Sequence, residues 1–536
     1  MCIRETVIVS KLKKHIGIYW KVPLIATDDM VAKATARAQT TARETKDYWR
    51  YQSNDLWDIQ CEGFAMKSEC DPRPPYMCSL DAKKVDTGPF KPNYWHTIDQ
   101  VSAGFCGQGM FGGDISVNYS YGNCGISTTN HEWGHNHGLL HDGTRTGTGE
   151  EKEYGKTSLM GSNRRLYGLS SPHRVKLGFE TEREILQIDS TTQMLIAPTE
   201  MSKHVLRKNE WQNVRVGRDY YISLRKAKGT RYPVSNVAPE DLYVHHMDRN
   251  DRDNIKLLTP TLKPGAQKVL PGGIIVKYHE YHEETARVTV QYKGQDAPED
   301  LSMPKGPPVT LASSRITEAH SGAWWNPNFD GQGFDIEVKG DKVVIYNYTF
   351  DQSGGTQRYY LGNGEIKDGA SVFDLYTTKG GTFDDPSKRE EIKIGKAQLF
   401  FNDDDTGVFH FNTDEHGRGA VNLTKLATMV PSMFNGSWWN PERAGEGLSV
   451  KQYDKLLVVY WYTYDSQGNQ KWYELTGTPD NLVIVEVRGG RWLFYDDVET
   501  PEIGEASIFI NISGGITLKY DSRLLGIGSL ELEKLF

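Results

Sequence analysis

Past residue 124 the sequence contains no cysteine, although it runs to 536 residues. It also has no apolar run approaching the roughly 18 residues that a membrane-spanning helix needs, and its mean hydropathy is −0.58. Neither sign of charge dominates: 62 basic against 70 acidic side chains leave a net of −8, with no basic stripe. These absences argue against a transmembrane segment and against nucleic acid as a partner. The first twenty residues, MCIRETVIVSKLKKHIGIYW, lack an apolar segment followed by small residues, so no signal peptide is visible in them. The length itself calls for several cores, because a single hydrophobic core stops growing at roughly 250–300 residues.

The six cysteines that are present, Cys2, Cys61, Cys70, Cys78, Cys106 and Cys124, are confined to one region. An even set of this kind predicts disulfides, and with them a secreted, extracellular protein. The alternative is a zinc site of thiolates. The offsets of nine and eight residues within CEGFAMKSECDPRPPYMC match no paired-cysteine zinc spacing, so disulfides are favoured and their connectivity stays open.

One stretch is dense in a single chemistry: HEWGHNHGLLHDG, residues 131–143. His131 and His135 are four apart and share one face of a helix, so both imidazoles can grip one ion. Glu132 lies beside the first of them, where its carboxylate reaches a water on the ion rather than the ion itself. His141 completes the set if the chain turns back after the helix, and Gly138 stands where such a turn needs a left-handed residue. His137 falls about 200° around the helix from His135 and points away, as an exposed or supporting histidine. The pattern predicts one catalytic Zn2+ held by His131, His135 and His141, with Glu132 as the base.

The stretch from His131 to Asp142 resembles the zinc-binding motif of the metzincin metallopeptidases, and HNHGLLH is most similar to the gametolysin family and its bacterial relatives. The resemblance implies a methionine turn beneath the metal, which Met160 in EYGKTSLMGS supplies. It implies a supporting role for Asp142 after the third ligand. It also implies a sheet edge ahead of the metal helix, on which substrate lies as an extra antiparallel strand. GMFGGDISVN is the candidate, with Gly112, Gly113 and Asp114 letting a peptide approach; a mere bulge is the plainer reading of the glycines. Two departures matter. Lys156 stands where the gametolysin pattern carries an acidic residue, and Ser162 stands two residues past Met160, where some metzincins carry a tyrosine, so a tyrosine ligand to zinc is not expected.

Elsewhere the sequence predicts a long helix from a Thr27 cap through TDDMVAKATARAQTTARETKDYWRYQS, then strands at LWDIQCEGF and GGDISVNYS. The expected fold is multidomain: an α/β (α+β) metzincin-like catalytic domain over 1–182, an all-β sandwich over 183–295, a Pro-rich linker over 296–318, and two repeated all-β domains over 319–430 and 431–536. The repeat is direct. Trp324 matches Trp438, Pro327 Pro441, Gly333 Gly447, Tyr348 Tyr462 and Asp351 Asp465, each pair 114 apart. Such GxWWNPxxxGxG repeats resemble tails on secreted bacterial proteins. Their alternating aromatics read equally as a surface for a glycan or cell-surface ligand and as a core. His279 and His282 lie on opposite faces of a strand and suggest no second metal. DRNDRDN at 248–254 and NDDDTG at 402–407 fall short of a calcium loop, so Ca2+ has no support.

The function this predicts is that of a secreted zinc endopeptidase, a hydrolase cutting polypeptide or glycoprotein substrates. Two alternatives stand beside it: another zinc amide hydrolase acting on glycan or cell-wall material, and an adhesin with a vestigial metal site. Arg164 and Arg165, in the loop after Met160, either favour acidic side chains or simply face water.

Overall fold

The computed structural model describes residues 12–535 apart from 54–56, 71–76, 100–105, 120, 162–165, 181–183, 202–204, 208, 227–239, 252–253, 297, 299–300, 304–314, 328, 330, 384, 386–388, 444 and 493–497. Ser162, Arg164, Arg165 and Cys2 therefore lie outside the described residues, as does much of the expected linker. The chain forms two compact units, one of Met1–Met201, Asn209–Ala227 and Tyr232–Met303, the other of Ser202–Lys208, Lys228–Arg231 and Pro304–Phe536.

The first unit opens with β1 (Leu12–Val22), α1 (Asp28–Ser53) and β2 (Trp57–Lys67). The two strands run parallel, which requires the crossover that α1 supplies. Thr27 Oγ1 accepts the Met30 N–H at the start of α1, and Asp28 and Asp29 sit in its positive first turn. Ala34, Ala38, Ala42, Thr45 and Trp49 are buried at helical spacing, so this small-residue face packs on the sheet. After α2 (Met77–Ala82) come β3 (Tyr94–Asp99), β4 (Gly107–Gly109) and β5 (Ile115–Tyr119). The sheet order is β2-β1-β3-β5-β4, with β4 antiparallel and at the edge. Helix α3 (Tyr121–Asn136) follows and carries the histidine motif beyond a break at Gly125.

The expected α/β metzincin-like catalytic domain is corrected here. Strand makes up 51% of the chain and helix 14%. The residues after His141 do not finish a separate α/β domain; they enter a sheet built mainly from later sequence. β6 (Asp142–Thr146) and β7 (Glu151–Lys152) pair with each other. Past α4 (Ser171–Lys176) come β8 (Ile185–Ile188), β9 (Thr192–Ile196), β10 (Glu210–Trp211), β11 (Asn213–Val216), β12 (Tyr220–Leu224), β13 (Leu242–Asp248) and β14 (Asn254–Thr259). These complete a seven-stranded sheet of order β7-β6-β14-β13-β12-β11-β8, in which β6 lies parallel to β14. The physical reason is local. DGTRTGTGEEK has no apolar face for a helix, and its backbone groups find partners in the sheet instead. A sheet therefore bridges the boundary expected at 182/183.

With β15 (Gln267–Leu270), β16 (Ile274–His282) and β17 (Thr285–Gln291), a five-stranded sheet of order β10-β9-β17-β16-β15 forms. One core joins residues of the two sheets, including Ile196, Val214, Ile222, Val244, Val276 and Val288. Cys70 and Cys78 are disulfide-bonded and Cys106 is too. Cys61 is a free, half-buried thiol on β2, and burial pushes its pKa up. Among the described residues no helix is long and apolar enough to cross a membrane.

In the second unit each repeat closes into an eight-stranded antiparallel barrel, from Gly322–Trp325 to Gly417–Lys425 and from Gly436–Trp439 to Gly526–Lys534. Trp324 and Trp438 fill equivalent core positions, each donating its indole N–H to a carbonyl four residues back. Alternation decides the fate of the other aromatics. Along Lys342–Phe350, Val343 and Ile345 point into the barrel, and Tyr346, Tyr348 and Phe350 point outward. The outward set is buried against the other barrel: Tyr346 stacks on Tyr462 with centroids 4.8 Å apart, and Tyr348 on Tyr460 at 4.4 Å. Because Tyr348 matches Tyr462 and Tyr346 matches Tyr460, the contact is isologous, as between the halves of a symmetric dimer. Gln357 Nε2 donates to the Trp472 carbonyl and Gln470 Nε2 to the Tyr359 carbonyl in the same exchanged sense. Among the described residues no tryptophan or tyrosine is fully exposed, and Tyr346, Tyr348, Tyr359, Tyr462 and Trp472 are buried in one cluster.

The same interface buries an ion pair, Lys451 Nζ to Asp335 Oδ1 at 3.1 Å, with Ser449 Oγ accepting from the lysine at 2.8 Å. Lys451→Met leaves a buried carboxylate alone and is expected to cost about 3–5 kcal/mol. Adding Asp335→Leu should recover most of that loss. Urea unfolding of the single and double variants checks both.

Candidate metal centre

Three elements bring the motif together. Helix α3 presents His131 and His135 one turn apart. At its end Gly138 adopts φ 78, a backbone that side chains resist, and the chain reverses so that His141 faces the helix. The nitrogen ligand atoms of His131, His135 and His141 then lie within 4.8 Å of one another.

Each imidazole is aimed by an oxygen on its other nitrogen. His131 Nδ1 donates to the Leu159 carbonyl at 2.9 Å, His135 Nδ1 to the Leu139 carbonyl at 2.7 Å, and His141 Nδ1 to Glu153 Oε1 at 2.6 Å. Those bonds set the tautomer in which the lone pair is on Nε2, the form that binds a metal. Burial holds His135 down to about 4, with His141 adding to the shift, and burial also lowers His141, so both stay neutral near pH 7. Three imidazole nitrogens brought this close suit Zn2+, which takes histidine nitrogens as ligands.

Glu132 is buried beside this triad and accepts the Gly109 backbone N–H from the edge strand β4. Burial pushes its carboxyl up to about 8, against the pull of that hydrogen bond. Met160 lies fully buried in a single turn, Leu159–Gly161, whose Leu159 carbonyl aims His131. A Cβ on Gly134 would meet the Met160 sulfur at 2.6 Å, so the thioether packs directly against the helix between the first two ligands. Asp142 is buried and joins the third ligand to this turn: its Oδ2 accepts Ser158 Oγ at 2.6 Å, and its carbonyl accepts the Gly155 N–H at 2.8 Å. His245 of β13 comes within 3.8 Å of Asp142 Oδ1.

Two expectations are displaced. Gly112, Gly113 and Asp114 do not form the sheet edge. They belong to the turn between β4 and β5, where Gly112 at φ 66 donates its N–H to the His135 carbonyl and Asp114 pairs with Lys83. The reason is the end of α3, where the His135 carbonyl accepts the Gly112 N–H alongside that of Gly138 and holds the segment folded back. The edge is Gly107–Gly109 instead. His137 turns away from the triad as expected, but into an aromatic stack rather than solvent. Its ring lies 4.8 Å from Trp57 and 4.9 Å from Tyr94, edge-on to Trp133 at 4.5 Å. Burial, with Lys14 nearby, lowers it to about 3. His137→Ala should therefore keep the metal yet lose about 1–3 kcal/mol of stability, to be read from zinc content and a denaturation curve.

No family model and no curated protein matches the chain. Among solved structures, it is similar to a structural-genomics crystal structure of a protein from Lactobacillus plantarum, at 11% identity over 59% of this chain and 96% of that chain, with a TM-score of 0.13. A likeness of that size carries no argument about fold or function.

The site also contains groups that the motif did not announce: Glu153, Tyr154, Ser158, His245 and Arg225. Glu153 and Tyr154 stand beside the methionine turn in sequence, and an acidic–aromatic pair just upstream of Met160 was the available signal. Tyr154 tilts over His141 with centroids 4.4 Å apart, and its hydroxyl lies 3.2 Å from His141 Nε2. Burial, with Glu153 and Glu132 nearby, pushes its phenol up to about 12. Arg225, fully buried, pairs with Glu200 and donates to the Thr157 and Gly168 carbonyls, which flank the methionine turn. No local pattern marks an arginine for that task.

Proposed function

We propose that this protein is a secreted zinc-dependent endopeptidase that hydrolyses peptide bonds of extracellular proteins or glycoproteins. The observation that carries the reading is the convergence of three imidazoles, His131, His135 and His141, with the buried side chain of Glu132 next to them in sequence. The motif's resemblance to the metzincin zinc site supports the reading at the level of the site, not of the surrounding fold. The Cys70–Cys78 disulfide is compatible with an oxidising compartment.

Zinc, when bound, polarises the scissile carbonyl and makes an attacking water more acidic. The chain's own residues do the rest. Glu132 takes the proton of the attacking water and passes it to the leaving amine. The Gly109 N–H keeps that carboxylate oriented, so the base and the edge strand are registered to each other. β4 is the outer strand of its sheet, and an extended peptide would lie along it, against the helix that holds the base.

The test is incubation of the zinc-loaded protein with a diverse protein digest, with new termini read by mass spectrometry. New chelator-sensitive termini are the expected result. One zinc per chain with turnover only of small non-peptide amides would replace the endopeptidase with another amide hydrolase.

A further inference from the structure

We propose that Tyr154 is a catalytic residue of this site, donating its phenolic hydrogen to the carbonyl oxygen of the scissile peptide as that oxygen gains negative charge. The inference rests on the zinc hydrolase reading above and adds a second functional group to it.

The argument is one of donors and acceptors. His141 Nδ1 carries the proton that it gives to Glu153, so Nε2 of the same ring can only accept. The Tyr154 hydroxyl, 3.2 Å from that Nε2, is therefore the donor. It aims its hydrogen at the lone pair that a metal would occupy. Once that lone pair is engaged, the hydroxyl loses its acceptor, and its hydrogen is directed at the space that the three imidazoles enclose. An oxygen brought to the metal enters that space.

The ring is placed for this by packing on His141, and its centroid lies 6.3 Å from that of His131, so it borders the triad rather than facing away. It is only half-buried, so the ring is not sealed in the core. A fixed donor aimed where charge develops stabilises the transition state more than the ground state. Glu132 and Tyr154 would then divide the work, one moving the proton and the other holding the oxyanion.

The test compares wild-type protein with Tyr154→Phe, which keeps the ring and removes only the hydroxyl. Three quantities are measured: zinc affinity by chelator competition, the Kd of a peptide phosphinate whose tetrahedral oxygens mimic the oxyanion, and the Kd of a non-cleavable peptide with a reduced peptide bond. The expected result is zinc affinity within about twofold, phosphinate affinity down by roughly 100-fold, and reduced-peptide affinity unchanged. In turnover, kcat should fall by a similar factor at constant KM. Equal phosphinate binding by both proteins overturns the role of Tyr154 and leaves the hydrolase reading standing. A tenfold loss of zinc affinity makes Tyr154 a metal ligand instead and overturns the donor role. Wild-type protein that binds zinc but no phosphinate overturns the hydrolase reading, and this one with it.

Discussion

Glu132→Ala and Glu132→Gln are each expected to retain about one zinc per chain and to lose on the order of 10³-fold in peptide turnover, within the range general-base catalysis contributes. The metal should stay because the three ligands are aimed by Leu159, Leu139 and Glu153, none of which touches the Glu132 side chain's role. Turnover should fall because the base is lost, while Glu153 and Asp142 are already engaged by His141 and Ser158. Metal analysis and initial rates on one peptide check this, and comparable rates in Glu132→Ala would remove the mechanism. The pH profile adds a sign. With no cation nearby, burial holds Glu132 up to about 8, and a divalent cation on the imidazoles pulls it down by direct attraction. The acid limb of the rate profile should therefore lie below pH 8, with the rate falling as the pH drops and the base is protonated.

A fragment ending at residue 182 is expected to lose more than about 100-fold in zinc affinity, whereas a fragment ending at residue 303 should bind as the full chain does. The longer fragment contains the first compact unit. The shorter one strips away what holds the third ligand. His141 is followed at once by β6, whose residues Asp142–Thr146 pair with Ile255–Thr259 of β14. The methionine turn is held by Arg225 through the Thr157 and Gly168 carbonyls, and Asp142 lies beside His245. All three supports come from beyond residue 182. Chelator competition on the two fragments decides the matter, and full-affinity zinc binding by the short one would show that β14 and Arg225 are dispensable to the site.

Most of the ligand set could be read from local chemistry. Spacings of four and six residues around a helix and a glycine turn are geometric constraints on adjacent residues, so His131, His135, Gly138 and His141 carried their own placement. The sheet edge ahead of α3 falls at Gly107–Gly109 and not at Gly112–Asp114, because the turn depends on the Gly112 N–H reaching the His135 carbonyl, a choice made in three dimensions. His137 packs among rings that come from β2, β3 and the helix itself, away from the other three histidines, and no window of sequence displays that stack. Cys61 illustrates the same limit: an even cysteine count says nothing about a thiol that a strand places under a helix.

The sequence by itself determined the elements whose rules are short-range: the Thr27 cap and the helix after it, the converging histidines with their glutamate, and the duplication at 114 residues. Only the tertiary structure decided that β6 belongs to a sheet completed by residues 185–259, that Arg225 braces the methionine turn, and that the repeat aromatics are buried between two barrels. The physical reason is the range of the interaction. Helix caps, turn glycines and side-chain spacing are settled by residues a few positions apart, whereas strand pairing and burial depend on partners brought from distant sequence by a core that must satisfy every backbone group at once. An outward-facing tyrosine on a strand therefore reads the same in sequence whether water or a second barrel covers it.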